Sequence, residues 1–269
     1  MNFHSDEWIM ERLQEHYNEA LEYFPEDRIV GIFLQGSQNY GLDYEYSDVD
    51  TKLIVTPTFE DIAMNLKPVS TTHVRENEEH IDFKDIRLYI QTFRKQNLNF
   101  LEILFTPYKI VNPTYEEQWN RLIKHNEEIA RYNPYLAVKS MKGIAMEKYH
   151  AMEHEYPSKI EILAKFGYDP KQLHHLFRVE EYLERYINGE PYKDCLISKQ
   201  SEYLKAVKTG CHTLGDARWM GKVAIDRIEQ MCNEFTNKIP NEYDTEVDAL
   251  LDDVQLNIMR IAIKKDIDK

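Results

Sequence analysis

Two aspartates one residue apart, Asp48 and Asp50, begin an apolar segment at residues 49–56 that is typical of a β-strand. Because side chains of an extended strand alternate between its faces, both carboxylates lie on one face, with Cα atoms roughly 6.5 Å apart. Two neighbouring carboxylates repel each other unless a divalent cation lies between them. Carboxylate oxygens suit Mg²⁺ or Mn²⁺, and such ions stabilise the attacking and leaving oxygens of an in-line displacement. The pair therefore indicates metal-assisted phosphoryl chemistry.

A Gly-Ser dipeptide at Gly36 and Ser37 ends the preceding apolar run, residues 29–34, where the backbone must turn sharply. Gly36 permits backbone torsions closed to other residues and lets a phosphate approach closely. The Ser37 hydroxyl and nearby backbone amides can then hold the β- and γ-phosphates of a nucleoside triphosphate, as other anion-binding turns do. Gly41 gives the loop a second permissive position.

A third carboxylate is expected on a separate strand, and the segment 79–85 offers two. Ile81 and Phe83 alternate with polar residues, which places Asp82 on the polar face of that strand. Asp85 is better interpreted as the N-cap of a helix that begins at Ile86. We therefore prefer Asp82 to Asp85 as the third carboxylate.

The combination of Gly36, Ser37, Asp48 and Asp50 with a later strand aspartate, Asp82, resembles the DNA polymerase beta superfamily of nucleotidyltransferases. This resemblance covers about the first 110 residues. It implies metal ligands at Asp48, Asp50 and Asp82, and all three as catalytic residues. It also implies triphosphate contacts at Gly36 and Ser37, with Mg²⁺ or Mn²⁺ as cofactor and ATP or another nucleoside triphosphate as substrate.

A narrower resemblance rests on loop residues Gly41 and Ser47 and on the segments 97–105 and 167–178. These features are similar to the branch described as RNA-repair-pathway polymerase-beta-like nucleotidyltransferases. The similarity spans residues 31 to about 190 and leaves the acceptor undefined. Residues after about 195 match no motif, so their role stays open.

The chain is strongly acidic, with 33 Lys plus Arg against 47 Asp plus Glu and a net charge of −14 over 269 residues. Such a field repels a long polyanion, so extended non-specific nucleic-acid binding is not expected. A short RNA end held by a local basic patch and a small or protein acceptor both stay open. The widely spaced Cys195, Cys211 and Cys232 disfavour a disulfide framework or a zinc knuckle.

The sequence is also that of a folded, non-membrane protein, with 42% hydrophobic and 12% aromatic residues. No apolar stretch approaches the ~20 residues that cross a bilayer. The acidic N-terminus lacks the basic-then-apolar pattern of a secretion signal. We therefore expect a cytoplasmic protein without a membrane partner.

Periodicity predicts an α+β fold in two domains. Strands are expected at about 28–35, 49–56, 69–75 and 79–84. Ser5, Asp85 and Asn97 are expected to cap helices. Beyond residue 112 the pattern predicts long helices at about 114–131, 135–155, 159–166, 170–188, 198–236 and 243–266. We therefore expect a small mixed-sheet catalytic domain, 1–110, which the resemblance implies is polymerase-beta-like, followed by an all-helical domain, 111–269, that walls the active-site cleft.

Basic residues recur at helical spacing in this second part, at Lys142 and again at Lys171, His174 and Arg178. If these helix faces turn toward the cleft, the four side chains can neutralise triphosphate charge during transfer. They are therefore our candidate nucleotide-binding residues. A solvated basic face produces the same pattern, and that alternative stays open.

Together these features predict a metal-dependent nucleotidyltransferase. It would move a nucleoside monophosphate, AMP from ATP as the expected case, to a hydroxyl acceptor and release pyrophosphate. The acceptor can be an RNA end or a protein side chain, which would make the protein an adenylylating enzyme. Two other classes stay open: a non-catalytic nucleotidyltransferase-like binding or antitoxin module, and a glycosyltransferase that uses Asp-x-Asp to hold a metal-bound nucleotide sugar.

Overall fold

The computed structural model describes residues 2–268, which form one five-stranded sheet and a series of helices. The strands are β1 (Ile29–Gln35), β2 (Asp50–Val55), β3 (Ser70–Val74), β4 (His80–Asp85) and β5 (Lys109–Val111). The helices are α1 (Asp6–Ala20), α2 (Phe59–Ala63), α3 (Ile86–Arg94), α4 (Leu98–Leu101), α5 (Glu116–Lys124), α6 (Asn126–Ala130), α7 (Pro134–Ala151), α8 (Ile160–Phe166), α9 (Pro170–Ile187), α10 (Tyr192–Leu196), α11 (Ser201–Lys208), α12 (Leu214–Thr236) and α13 (Thr245–Ile267).

The sheet is mixed, with strand order β3-β4-β2-β1-β5. β2 and β4 run parallel, whereas the other neighbouring pairs are antiparallel. The predicted α+β fold is thereby confirmed. The register places Gln35 opposite Asp50, and Lys52 beside Asp82. The edge strand β5 was not predicted, because three residues are too few to show a period of two.

Helix α1 covers one face of the sheet. Its Ile9 and Leu13 are fully buried and pack in one apolar cluster with Leu53 and Ile81. Val49 belongs to the same cluster. Since alternate residues of a strand point to opposite faces, the polar residues between these positions lie on the other face.

The predicted helix caps are confirmed. Ser5, Asp85 and Asn97 each accept a hydrogen bond from a backbone N–H in the first turn of α1, α3 and α4, respectively. An N-cap of this kind stabilises a helix by about 1 kcal/mol, because it satisfies one of the N–H groups that have no partner within the helix. The assignment of Asp85 to a structural role follows directly.

The chain divides into two compact units. The first comprises the residues up to Tyr132 and returns at Tyr243, so it contains the sheet together with α1–α6 and α13. Arg94 of α3 forms ion pairs with Asp248 and Asp252 of α13, which attach the last helix to this unit. The structural division thus falls at residues 132 and 243, whereas the sequence pattern alone placed it at residue 110.

The second unit comprises Asn133–Glu242 and is entirely helical in its regular structure. Helix α9 contacts α7, α11 and α12 along its length. A continuous helix over 198–236 was expected, and that expectation was wrong. Gly210 adopts a φ of +85° after α11, and the Thr213 side chain caps α12, so the chain turns between the two helices.

None of the helices within residues 2–268 has the length and apolar composition of a transmembrane span.

Candidate active site

Asp50 is the first residue of β2 and Asp48 lies two residues before it, and both differ in their surroundings from Val49 between them. Val49 is 0% exposed under α1, whereas Asp48 is exposed and the Asp50 side chain is 36% exposed. This alternation places both carboxylates away from the α1 core, as the sequence pattern predicts. The Asp48 carboxylate makes no hydrogen bond or ion pair with any residue in the range 2–268.

Asp50 is held in place by the neighbouring strand. Its Oδ1 accepts a hydrogen bond from the His80 backbone N–H at 3.1 Å and lies 3.0 Å from His80 Nδ1. His80 is the lateral neighbour of Asp50 on the parallel strand β4, so sheet pairing creates this contact. One carboxylate oxygen of Asp50 is therefore fixed by β4, and no hydrogen bond with a described residue involves the other.

The Gly-Ser turn lies directly beside these aspartates. Gln35, the last residue of β1, pairs with Asp50, and Gly36 follows with a φ of +106°. Left-handed torsions of this kind favour glycine, which explains the residue type at this position. Ser37 then begins a short 3₁₀ turn, and its hydroxyl has no hydrogen-bond partner in the described chain.

Gln38 connects the turn to the Asp48 segment. Its side-chain amide donates to the Asp48 carbonyl at 2.8 Å, across ten residues of loop. The amide oxygen of Gln38 is buried and has no partner among residues 2–268. The turn and the two aspartates therefore form one connected unit, held by sheet pairing on one side and by Gln38 on the other.

Asp82 lies on the same sheet face but has partners of its own. Its Oδ2 is 3.2 Å from the Lys52 ammonium, and its Oδ1 accepts a 2.6 Å hydrogen bond from the Thr72 hydroxyl. Lys52 and Asp82 are neighbours in the β2–β4 register, which explains why they meet. Within residues 2–268, no three His, Cys, Asp or Glu side chains are grouped so that they could hold a metal ion.

The donor chemistry therefore fits a divalent cation at Asp48 and Asp50 only. These two side chains have carboxylate oxygens without a partner in the described part of the chain, residues 2–268, and hard oxygen ligands are what Mg²⁺ and Mn²⁺ prefer. Mg²⁺ commonly binds through one or two carboxylates together with water and substrate phosphates. The oxygens of Asp82 are instead directed to Lys52 and Thr72.

Lys52 is a site residue that sequence reasoning missed. Its side chain is 3% exposed, and its ammonium lies 4.1 Å from the centre of the Phe100 ring of α4. Burial lowers the pKa of Lys52, and the neighbouring Asp82 carboxylate opposes that shift. A signal was present in the sequence: Lys52 follows Asp50 by two residues and so must share its face of the strand.

A buried charge cluster on the opposite face supports the Asp-x-Asp segment. Glu79 is 5% exposed, and its Oε1 accepts a hydrogen bond from the Val49 backbone N–H at 3.1 Å. Its Oε2 receives hydrogen bonds from His16 at 2.9 Å, from Arg75 at 2.9 Å and from Arg12. Since β2 begins only at Asp50, the Val49 N–H lies outside that strand, and Glu79 supplies its acceptor.

The Glu79 carboxylate keeps its negative charge over a wide pH range, because its pKa is lowered. Burial alone would raise the pKa of Glu79, but hydrogen bonds from His16, Asn77, Arg12 and the Val49 N–H outweigh it and hold that pKa well below its ordinary range. His16 is fully buried and contacts the Thr51 hydroxyl through Nδ1 at 2.9 Å. The backbone of the Asp48–Asp50 segment is thus anchored from behind by a carboxylate that keeps its charge.

The four basic candidates from the helical part lie in the second unit, whereas the three aspartates lie in the first. Lys142 forms an ion pair with Glu229 at 2.9 Å, and Lys171 is exposed in the first turn of α9. His174 is 2% exposed and donates through Nδ1 to the Leu204 carbonyl at 2.8 Å, and burial lowers the pKa of His174 to about 4. Arg178 is partly buried. His174 has the surroundings of a neutral core histidine, which does not favour a phosphate contact.

The first unit therefore gathers, on one face of the central strands of the sheet, two carboxylates, a glycine turn and a buried ammonium paired with a third carboxylate. Within residues 2–268, oxygens of the two carboxylates and the Ser37 hydroxyl of the turn have no hydrogen-bond partner. Carboxylates of this kind can bind a cation, and the turn can bind an anion. No protein-family model matches this chain, and no curated protein matches its sequence. The arrangement itself carries the functional argument.

Proposed function

We propose that this protein is a metal-dependent nucleotidyltransferase that transfers a nucleoside monophosphate, AMP from ATP, to a hydroxyl acceptor. One observation carries the proposal: the Gly36-Ser37 turn ends β1 directly beside Asp50, and Gln38 of the same turn donates to the Asp48 backbone carbonyl, while the Asp48 carboxylate has no partner among residues 2–268. Anion-binding and cation-binding groups are thereby adjacent where β1 ends and β2 begins. A metal-bound triphosphate requires both kinds of group side by side.

The residues divide the work of binding between them. Asp48 and Asp50 would hold the cation, which supplies charge neutralisation to the triphosphate. Gly36 allows the backbone to approach a phosphate, and the Ser37 hydroxyl can donate to a phosphate oxygen. The acceptor hydroxyl attacks the α-phosphorus, the bond to the β-phosphate bridging oxygen breaks, and pyrophosphate leaves with the electron pair. The hydroxyl proton passes to a carboxylate or water at the site.

The acceptor is an RNA end or a protein hydroxyl in this proposal. The net charge of −14 disfavours a long polyanion but allows a short RNA terminus held locally. The proposal rests on residues of the first unit alone, and Lys142, Lys171 and Arg178 stay predictions from the sequence. His174 is not favoured as a phosphate contact, because its ring nitrogen donates to a backbone carbonyl within the helical unit.

A labelling experiment tests the proposal. The full chain is incubated with Mg²⁺ and ATP labelled at either the α- or the γ-phosphate, together with total RNA or a cell lysate. We expect label from the α-position in one acceptor fraction and label from the γ-position only in released pyrophosphate. Transfer of the γ-label would instead identify a kinase and would overturn the proposal.

Paired variants make the experiment specific to the site. The double variant D48N/D50N should abolish transfer while leaving the circular dichroism spectrum unchanged, because Asp48 is exposed, the Asp50 side chain is partly exposed, and asparagine keeps an oxygen that can accept from the His80 N–H. The matched control D194N changes an exposed aspartate of the second unit and should transfer normally. Full pyrophosphate release by D48N/D50N would refute the assignment of these residues.

Thermal shift measurements separate the remaining alternatives. With Mg²⁺ present, a nucleotidyltransferase should be stabilised by ATP more than by sugar nucleotides, because a ligand that binds only the folded state raises the unfolding temperature. Stabilisation by sugar nucleotides alone would favour the Asp-x-Asp glycosyltransferase. Stabilisation by ATP without any transfer would favour the non-catalytic binding module.

A further inference from the structure

Lys52 lies where a second cation beside Asp82 would have to lie. Its ammonium is 3.2 Å from Asp82 Oδ2, and the Thr72 hydroxyl occupies Asp82 Oδ1 at 2.6 Å. Both oxygens of the third carboxylate therefore already have a donor. A metal ion that bound Asp82 Oδ2 would lie against this ammonium, and two cations at that separation repel each other.

The position of the ammonium is fixed on several sides. The Lys52 side chain is almost fully buried, and its ammonium lies over the Phe100 ring at 4.1 Å from the ring centre. A cation over an aromatic face is attracted by the ring quadrupole, and the attraction grows when the cation is desolvated. The Lys84 ammonium lies 4.8 Å from the centre of the same ring, but it donates to the Ser70 hydroxyl rather than to Asp82.

The charges on this sheet face also balance better with Lys52 in place. Lys52 contacts Asp82 directly, and Asp50, two residues away on the same face of β2, attracts the ammonium more weakly. Two divalent ions in addition to this ammonium would crowd like charges within a few ångströms. One divalent ion at Asp48 and Asp50 would not have to displace the Lys52–Asp82 pair.

We propose that Lys52 serves as a built-in second cation, so that the site binds one divalent ion through Asp48 and Asp50 and uses Asp82 to hold the lysine. This inference rests on the proposed function, since it assigns the ions of the same site. Lys52 is accordingly a positioning residue for Asp82. Its removal exposes a carboxylate that can then bind metal.

Manganese stoichiometry tests this assignment without measuring catalysis. Mn²⁺ binding to the full chain, with a non-hydrolysable ATP analogue present, is measured by isothermal titration calorimetry and by the electron paramagnetic resonance signal of free Mn²⁺. ATP analogues bring their own affinity for Mn²⁺, so the analogue alone is titrated and subtracted. We expect one ion per wild-type chain and two per K52M chain.

Matched variants locate the second ion. The double variant K52M/D82N should return to one ion, and K52R, which keeps the positive charge, should stay at one. K84M removes the other ammonium beside Phe100 and should also stay at one, because Lys84 does not contact Asp82. If K52M does not fold, D82N alone decides: we expect it to bind one ion with an affinity within about threefold of wild type.

The outcomes separate this inference from the proposed function. Two ions per wild-type chain, with one lost in D82N, would overturn the role of Lys52 and leave the nucleotidyltransferase proposal intact. A single ion in K52M would also overturn it. If wild type and D48N/D50N bind Mn²⁺ equally, the metal site itself is wrong, and both proposals fall.

Discussion

Replacing Glu79 with glutamine removes the negative charge that Arg12, Arg75 and His16 share behind the Asp-x-Asp segment. Glutamine has nearly the same size, and its carbonyl oxygen can still accept from the Val49 N–H. Its amide NH₂, however, takes the place of Oε2 and cannot accept hydrogen bonds from Arg12, Arg75 and His16. The variant E79Q therefore tests the charge rather than the volume of this side chain.

The expected cost follows from the burial of the cluster. Removing one partner of a buried ion pair usually destabilises a protein by about 3–5 kcal/mol, because the remaining charge is left uncompensated. The side chains of Arg12 and Arg75 are 20% and 16% exposed, respectively, so water can partly solvate them. We therefore expect the lower end of that range, a loss of about 3 kcal/mol in the free energy of unfolding of the first unit.

Urea unfolding followed by tryptophan fluorescence measures this loss. The chain has three tryptophans, of which Trp8 and Trp119 belong to the first unit and Trp219 to the second. Placing the series in a W219F background makes the signal report on the first unit alone. The free energy is obtained by linear extrapolation to zero urea, with the slope compared between variants.

The neighbouring residue supplies a matched control. Glu78 is exposed and makes no ion pair in the described chain, so E78Q makes the same chemical change outside the cluster. A surface change of this kind should stay within ~0.5 kcal/mol. If E79Q costs less than about 1 kcal/mol, the argument that Glu79 is a buried anchor of the Asp48–Asp50 backbone is refuted.

Acid titration gives the same prediction a second form. A carboxylate whose pKa is lowered in the folded state stabilises the protein above its unfolded pKa, 4.5 for Glu79, and loses that contribution as the pH falls toward the folded value. The stability difference between wild type and E79Q should therefore be constant from pH 7 to 5 and shrink below pH 4.5. A difference that stays constant down to pH 3 would contradict the lowered pKa.

Three further predictions concern other positions. The pKa of His174 is about 4 in the folded chain against 6.5 ordinarily, so the free energy of unfolding of the second unit should fall by about 3 kcal/mol as the pH falls from 7 to 4. Urea unfolding at the two pH values should show a smaller fall for H174Q, and equal falls in both proteins would contradict this. The variant G36A should lose about 1 kcal/mol of stability and at least tenfold in ATP affinity by calorimetry, because Gly36 has a φ of +106° beside the Ser37 hydroxyl. Unchanged ATP binding would argue against a phosphate-binding turn. The variant G210A should lower the unfolding temperature more than G189A, although both glycines have a positive φ. A Cβ at Gly210 would lie 2.4 Å from Phe166 Cε1, whereas a Cβ at Gly189 would meet no atom of the described residues within 4 Å. Equal effects of the two variants would show that backbone torsion alone matters.

Much of the first unit could be predicted from local sequence. Apolar runs located β1 and β2, and the alternation of Ile81 and Phe83 with polar residues located β4. Ser5, Asp85 and Asn97 located helix starts. These features depend on period and on capping chemistry, which are properties of a few neighbouring residues. The alternation of side chains along an extended strand also placed Asp48 and Asp50 on one face of the sheet, opposite to Val49.

Other features depend on partners distant in sequence and could not be predicted this way. Glu79 contacts residues of α1 that lie more than sixty positions earlier, so no local pattern separates it from a surface glutamate. Helix α13 packs with α5 and α3, although its amphipathic pattern fits any apolar partner. The break at Gly210 was missed because an isolated glycine is tolerated within helices, and only its left-handed torsion marks the end of α11.

The proposed function requires that Asp48 and Asp50 together bind the cation that carries a nucleoside triphosphate. A crystal structure of the full chain soaked with Mn²⁺ and a non-hydrolysable ATP analogue tests this through the anomalous signal of manganese. We expect an anomalous peak at about 2.0–2.3 Å from carboxylate oxygens of both aspartates, with the triphosphate against Gly36 and Ser37. Manganese and nucleotide bound elsewhere, with these two carboxylates free of metal, would contradict it.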